Sequence, residues 1–292
     1  RYAPTTLTHQ FFGVDETGWG DWVDDYYYIY PDETCVRDTT LYTSMPNVFN
    51  EFHEAIPTIN PGLLPEDVLE PETIEMGNAD GKVIRYDFSK GFPSNDSFED
   101  GLNILLVRMK GDGKPFAVAE STGQWFDPIS RPDDGMFNHY DDWPAWPKLY
   151  RRSDWDRDPE NGYREFWKTL PSHSSLMHLD WDNYESDLDG PVVFIRKVLL
   201  NGMTREDSVA ALVPLTRFWE NAPVIKVDGY GYGDAVFDKA QKAYILDRRI
   251  SWVDDMVNRD DDKMINGKAD QVTLQVYASK ESPLVNPCFV IK

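Results

Sequence analysis

Tyr26-Tyr27-Tyr28-Ile29-Tyr30 and Cys35-Val36-Arg37-Asp38-Thr39-Thr40-Leu41-Tyr42-Thr43 decide the fold class. Both runs are rich in aromatic and β-branched residues, are bounded by turn formers and repeat with period two, which is the signature of strands. Lys82-Val83-Ile84-Arg85-Tyr86-Asp87-Phe88 and Gln271-Val272-Thr273-Leu274-Gln275-Val276-Tyr277 follow the same rule. Between such runs lie Asn78-Ala79-Asp80-Gly81, Lys110-Gly111-Asp112-Gly113 and Asn266-Gly267, whose glycines and Asx residues accept the positive φ that tight hairpins require. Residues 1–120 and the last third of the chain therefore read as antiparallel meander. The predicted class is all-β, an antiparallel β-sandwich or supersandwich.

One or two short helices interrupt this pattern. Thr204 is placed to cap the first, Asp207 stands three residues on in the manner of a capping box, and Ser208–Trp219 supplies Val209, Leu212, Val213 and Leu215. Pro214 predicts that this helix is short, kinked or broken in two. The second covers Phe237–Ala243, although Tyr244-Ile245-Leu246 reads equally well as strand.

Between Gly123 and Gly190 the alternation fades while Pro, Trp, Asp and Ser increase. This stretch holds six of the ten tryptophans and three of the five histidines. It reads as a loop-rich functional insert, residues 123–190, within one large sandwich domain spanning 1–292, because loops on a rigid scaffold carry most binding and catalysis.

Fifty-one acidic against 29 basic side chains give a formal charge of −22, which repels phosphate backbones and anionic lipid and argues against both as partners. No run of eighteen apolar residues predicts a membrane-spanning helix. The start at Arg1 and the strand-like ending Pro287-Cys288-Phe289-Val290-Ile291-Lys292 read as a mature or trimmed fragment of a longer chain. Cys35 and Cys288 suit either a disulfide of an exported protein or two buried thiols.

The candidate chemistry lies in the insert. Asn138-His139-Tyr140-Asp141-Asp142-Trp143-Pro144-Ala145-Trp146-Pro147 sets an amide, an imidazole and a phenol beside two proline-flanked indoles. His173 and His178 follow, and a basic cluster that includes Lys148, Arg151, Arg152, Arg157, Arg164 and Lys168 interrupts the acidic chain. Such a set is sufficient for β-elimination of a uronic-acid chain. Asn138 or Arg152 neutralises the sugar carboxylate, His139 or His173 takes the adjacent proton, and Tyr140 protonates the leaving oxygen. Trp143, Trp146, Arg151 and Trp181 would grip the sugar, while His9, His53 and His178 are assigned to structural hydrogen bonding. A hydrolase would instead use two carboxylates, with Asp141, Asp142, Asp180 and Asp182 as candidates. Asp154, Asp156, Asp158 and Glu165 provide oxygen donors at EF-hand-like spacing for Ca²⁺, although Pro159 stands where the sharp turn needs glycine. Zinc, Walker-type and Gly-x-Ser-x-Gly patterns are missing from the sequence.

Asp21-Trp22-Val23-Asp24-Asp25-Tyr26-Tyr27-Tyr28-Ile29-Tyr30-Pro31-Asp32, the Asn-His-Tyr segment at 138, the Pro-Ser-His-Ser-Ser-Leu segment at 171 and Ser282-Pro283-Leu284-Val285-Asn286-Pro287 resemble secreted β-sandwich proteins of polysaccharide-degrading bacteria. The resemblance implies export to the periplasm, cell surface or medium, and action on a polysaccharide by lyase chemistry. A glycoside hydrolase and a non-catalytic carbohydrate-binding sandwich are the alternatives. No organic cofactor is expected.

Overall fold

The computed structural model describes residues 20–43, 51–53, 58–60, 63, 65–87, 99, 101–121, 126–128, 172–173, 177–180, 193–229, 231–247 and 272–292. Among the described residues strand outweighs helix by 52% to 12%, so the fold is all-β and sandwich-like. The chain divides into two compact units, Arg1–Val213 and Pro214–Lys292.

The first unit is built on seven antiparallel strands: β1 (Trp22–Ile29), β2 (Thr34–Thr43), β3 (Leu69–Gly77), β4 (Val83–Tyr86), β5 (Ile104–Met109), β6 (Lys114–Val118) and β7 (Val193–Thr204). Their spatial order is β1-β2-β7-β6-β5-β3-β4. The sheet therefore departs from a meander. Three hairpins, β1–β2, β3–β4 and β5–β6, are separate local products, and β7 arrives from far along the chain to join β2 to β6. The hairpin turns form where the sequence places them. Asn78 Oδ1 accepts from the Asp80 and Lys82 amides, and Gly81 takes φ 93°. Gly111, in the β5–β6 turn, takes φ 136°.

The central strands are buried on both faces, so their sequences approach continuous apolar runs such as Ile104-Leu105-Leu106-Val107. Val23, Leu41, Ile74, Met76, Tyr86, Leu105, Val107, Ala117 and Leu199 form one core. Residues of the opposite parity, Val36, Ile104, Leu106, Phe116, Val118 and Leu200, are buried on the other face. A 3₁₀ turn, Val209–Leu212, packs over β3 and β5, with Val209 and Leu212 buried. It comes so close that a Cβ on Gly77 would stand 2.6 Å from Val209 Cγ2 and 2.5 Å from the Lys82 carbonyl oxygen.

A buried carboxylate fixes this turn. Glu75, fully buried on β3, accepts from Ser208 Oγ at 2.5 Å and from the Val209 amide at 2.8 Å, and its other oxygen takes Arg85 Nε at 2.5 Å. An ionised carboxylate survives burial only when charge and hydrogen bonds compensate its lost hydration, and Glu75 has both. The cap of the turn is Ser208, whose hydroxyl accepts from the Ala210 amide; Thr204 ends β7, and its hydroxyl accepts from the Glu206 amide. Lys114 Nζ reaches Asp207 at 2.8 Å and holds the Asp207 carboxyl below its ordinary 3.8, first by hydrogen bonding and then by charge.

In the second unit α1 (Val213–Glu220) contains Pro214 near its start, and the expected break in the helix is the change from 3₁₀ turn to α-helix at Val213. β8 (Val224–Asp228) pairs antiparallel with β11 (Thr273–Tyr277). β9 (Val236–Asp238) pairs antiparallel with β10 (Ala243–Leu246), which pairs parallel with β12 (Cys288–Ile291). The parallel pair corrects the meander expected here. It forms because the long return from β10 brings β12 back in the same direction. The helix expected at 237–243 shrinks to a 3₁₀ turn, Lys239–Gln241, capped by Asp238 and ended by Lys242 at φ 47°. Phe218, Phe237, Tyr244 and Phe289 make the aromatic core, with ring centroids 5.1 Å apart for Phe237–Tyr244 and 5.6 Å for Tyr244–Phe289. The Tyr244 hydroxyl donates to the Pro223 carbonyl at 2.6 Å, and burial pushes its pKa up to about 12. Cys35 and Cys288 are free thiols, and burial raises that of Cys35. No helix among the described residues is long and apolar enough to cross a membrane.

Glu75→Ala should cost about 3 kcal/mol in urea unfolding, since it removes a charge-assisted pair and leaves the buried Val209 amide unsatisfied. Arg205→Ala, which removes the exposed Arg205–Glu33 pair at 3.4 Å, should change stability by less than about 0.5 kcal/mol. Equal losses would contradict the role of Glu75. Gly77→Ala should cost about 1–3 kcal/mol through overpacking. The lowered Asp207 carboxyl adds stability above its unfolded pKa that is lost as pH falls through the folded value. Lys114→Met should raise the Asp207 midpoint in an NMR titration; an unmoved midpoint would refute the pairing.

Candidate functional site

Three short strands of the first unit bring five titratable residues together: Glu51–His53, Phe126–Pro128 and Met177–Asp180. Met177–Asp180 is central and antiparallel to both neighbours. Each segment alternates apolar and polar residues along its sequence.

The register aligns these alternations. His178 stands opposite His53 on one side and Asp127 on the other. One step along, Leu179 stands opposite Phe52 and Phe126; Asp180 faces Glu51, and Met177 faces Pro128. Because the side-chain period is two, Glu51, His53, Asp127, His178 and Asp180 share one face of this sheet, and Phe52, Phe126, Pro128, Met177 and Leu179 share the other. Residues opposite one another in an antiparallel pair have Cβ atoms about 4.5–5.5 Å apart. The row Asp127–His178–His53 therefore sets two imidazole-bearing positions and a carboxylate-bearing one within about 10 Å.

Chemically, such a row suits proton transfer. An imidazole changes charge near neutral pH, a neighbouring carboxylate favours its protonated form, and a second imidazole offers a partner of similar proton affinity. Three carboxylates on one face also admit the pairing of one acid with one base that glycosidic hydrolysis uses.

The residues singled out in the sequence divide in two. Asn138, His139, Tyr140, Trp143, Trp146, Arg151, Arg152, Asp154, Asp156, Asp158, Glu165 and Trp181 lie outside the described residues. His173 belongs to a two-residue strand, Ser172–His173, paired with Thr58–Ile59 so that His173 faces Thr58. It is not in register with His178. Of the 123–190 insert the described residues, 126–128, 172–173 and 177–180, are strand, and the remainder lies outside the described residues. His53 and His178, assigned from sequence to structural roles, are the two histidines that register brings side by side. The alternations Glu51-Phe52-His53 and Met177-His178-Leu179-Asp180 were the available signal, too short to stand out among so many acids.

H53K/H178K should destabilise the sheet by placing like charges directly opposite, by about 0.5–1 kcal/mol more than the sum of the single substitutions. A double-mutant cycle in urea measures this excess, and strict additivity would show that the positions are apart. The chain matches no family model, and neither the curated proteins nor the solved structures contain a match to it.

Proposed function

We propose that the chain is a polysaccharide-degrading enzyme that cleaves its substrate by β-elimination, with the Asp127–His178–His53 row as its proton-transfer centre. One imidazole of the row removes the proton next to the sugar carboxylate. The electron pair released forms the new double bond and expels the glycosidic oxygen, which takes a proton from an acid. Asp127 steadies the imidazolium so formed, as a carboxylate beside histidine does in other proton-transfer sites. Asn138 and Arg152 remain the candidates for neutralising the sugar carboxylate and Tyr140 the candidate acid, with His139 and His173 as alternative bases. A polymeric substrate carries with it the expectation of export.

The single observation that supports this reading is the shared face: five titratable residues from three strands, backed by five apolar ones, in a chain whose adjoining segment is dense in tryptophan. A sheet that serves only as structure gains nothing from placing two histidines in register among carboxylates. One observation favours a second reading, glycoside hydrolysis. Glu51, Asp127 and Asp180 lie on the same face, so an acid and a base can both be drawn from carboxylates.

Uronic, sulfated and neutral polysaccharides should be screened for product by near-ultraviolet absorbance and by new reducing ends. Absorbance together with reducing ends identifies the lyase, and reducing ends alone identify the hydrolase. His178→Ala should slow turnover by roughly 10²-fold to 10⁴-fold with the unfolding midpoint unchanged. Full activity in both His53→Ala and His178→Ala would remove the row from the mechanism, and the absence of any cleaved glycan would remove the enzyme reading.

A further inference from the structure

We propose that one face of β1, β2 and β7 is a docking platform for a hydroxyl-rich sugar chain, separate from the titratable row; it rests on the carbohydrate reading above. Period two puts Trp22, Asp24, Tyr26 and Tyr28 on one side of β1, the terminal strand of the seven. Register then builds rows across the sheet. Trp22 faces Tyr42, Asp24 faces Thr40, and Tyr26 faces Asp38; β7 continues them with Arg196 opposite Thr40 and Val198 opposite Asp38.

The side chains in these rows are pre-set. Trp22 and Tyr42 stack with centroids 5.1 Å apart and planes at 25°. Arg196 grips Asp38 with two parallel bonds, Nε to Oδ1 and Nη2 to Oδ2, both 2.7 Å, while 55% of its side chain stays in solvent. Tyr26 is 57% exposed, beside Asp24 and Asp38, each 8% exposed at the floor.

Flat rings alternating with fixed carboxylate and guanidinium groups match a sugar chain, whose ring faces are apolar and whose edges carry hydroxyls. Aromatic residues lose little conformational entropy on binding, and the bidentate Arg196–Asp38 pair has already lost its own. A protein partner fits less well, since it would have to cover Arg196, whose side chain is half in solvent, and charged groups are depleted at the centres of such interfaces. The largest exposed aliphatic on β1, Ile29 at 78%, lies on the opposite face. From Trp22 to Tyr28 the platform runs six residues, about 20 Å at about 3.4 Å per residue, which suits a chain and exceeds a single sugar. With two carboxylates and one guanidinium, it recognises hydroxyls and does not rely on substrate charge, so its affinity should depend little on salt.

The test is affinity electrophoresis of the full chain through gels containing hydroxyethylcellulose, xylan, galactomannan or polygalacturonate, with turnover of a short soluble oligosaccharide followed alongside. Retention by at least one polymer is expected to fall roughly tenfold in Tyr26→Ala/Tyr28→Ala, equally at low and high salt, with turnover of the short substrate unchanged. Tyr27→Ala, on the other face of the same strand, should leave retention intact and controls for damage to the strand. The proposal falls if no polymer retains the parent protein, if Tyr26→Ala/Tyr28→Ala is retained as well as the parent, or if Tyr27→Ala weakens retention as much. It also falls if Tyr26→Ala/Tyr28→Ala converts a dimer into a monomer with glycan retention unchanged, which would make this edge a contact between copies. Retention without cleavage of any glycan supports the platform while defeating the enzyme reading; cleavage with retention indifferent to Tyr26 and Tyr28 does the reverse.

Discussion

Antiparallel register is the constraint on which the rest of this molecule depends. Successive residues of a strand point to opposite sides, so a slip of one residue in Met177–Asp180 would put Leu179 in place of His178 opposite His53 and Asp127. The same rule puts Trp22, Asp24, Tyr26 and Tyr28 together on β1 and sends Val23 into the core. Both proposed glycan contacts are thus consequences of strand pairing. They need no unusual backbone geometry, only that each strand finds its partner without slipping.

Buried polar groups help to prevent slipping. Glu75 can reach Ser208, the Val209 amide and Arg85 together only when β3 pairs with β4 as observed, with Glu75 opposite Arg85. A shift would strand a charge in the interior, at a cost of several kcal/mol. At the other end of the sheet the Asp25 carboxylate, which accepts from Arg37 Nε at 3.1 Å and from the Thr39 hydroxyl, fixes β1 against β2 in the same way. Apolar contacts supply most of the driving force, but they tolerate sliding. Charged groups at fixed register positions do not.

Much of the fold was legible because it is local. The Asn78–Gly81 and Lys110–Gly113 turns, the strands on either side of them and the break at Pro214 all follow from the chemistry of adjacent residues. The insertion of β7 between β2 and β6 and the parallel β10–β12 pair were not legible, since nothing in residues 193–204 or 288–291 names a partner distant in sequence. The cap at Ser208 was missed for a similar reason: Thr204 satisfies the local pattern, but Ser208 has the distant carboxylate of Glu75. At the candidate site the residue types were visible and their pairing was not. His173 and His178 look alike in sequence, yet His173 faces Thr58 and His178 faces His53. The strongest sequence signal, the run of indoles and arginines around Asn138-His139-Tyr140, belongs to residues outside those described.

Disulfide trapping tests the register beneath this account most directly. Opposed antiparallel positions have Cα atoms about 4.5–5.5 Å apart, within the range a disulfide spans. Under mild oxidation F52C/L179C should form a bond, identified by peptide mapping apart from the native Cys35 and Cys288, and F52C/H178C should not, because those positions face opposite sides. The reverse result, with position 52 trapped by 178 and free of 179, would mean that the strands pair one residue out of step and that the imidazole row does not exist.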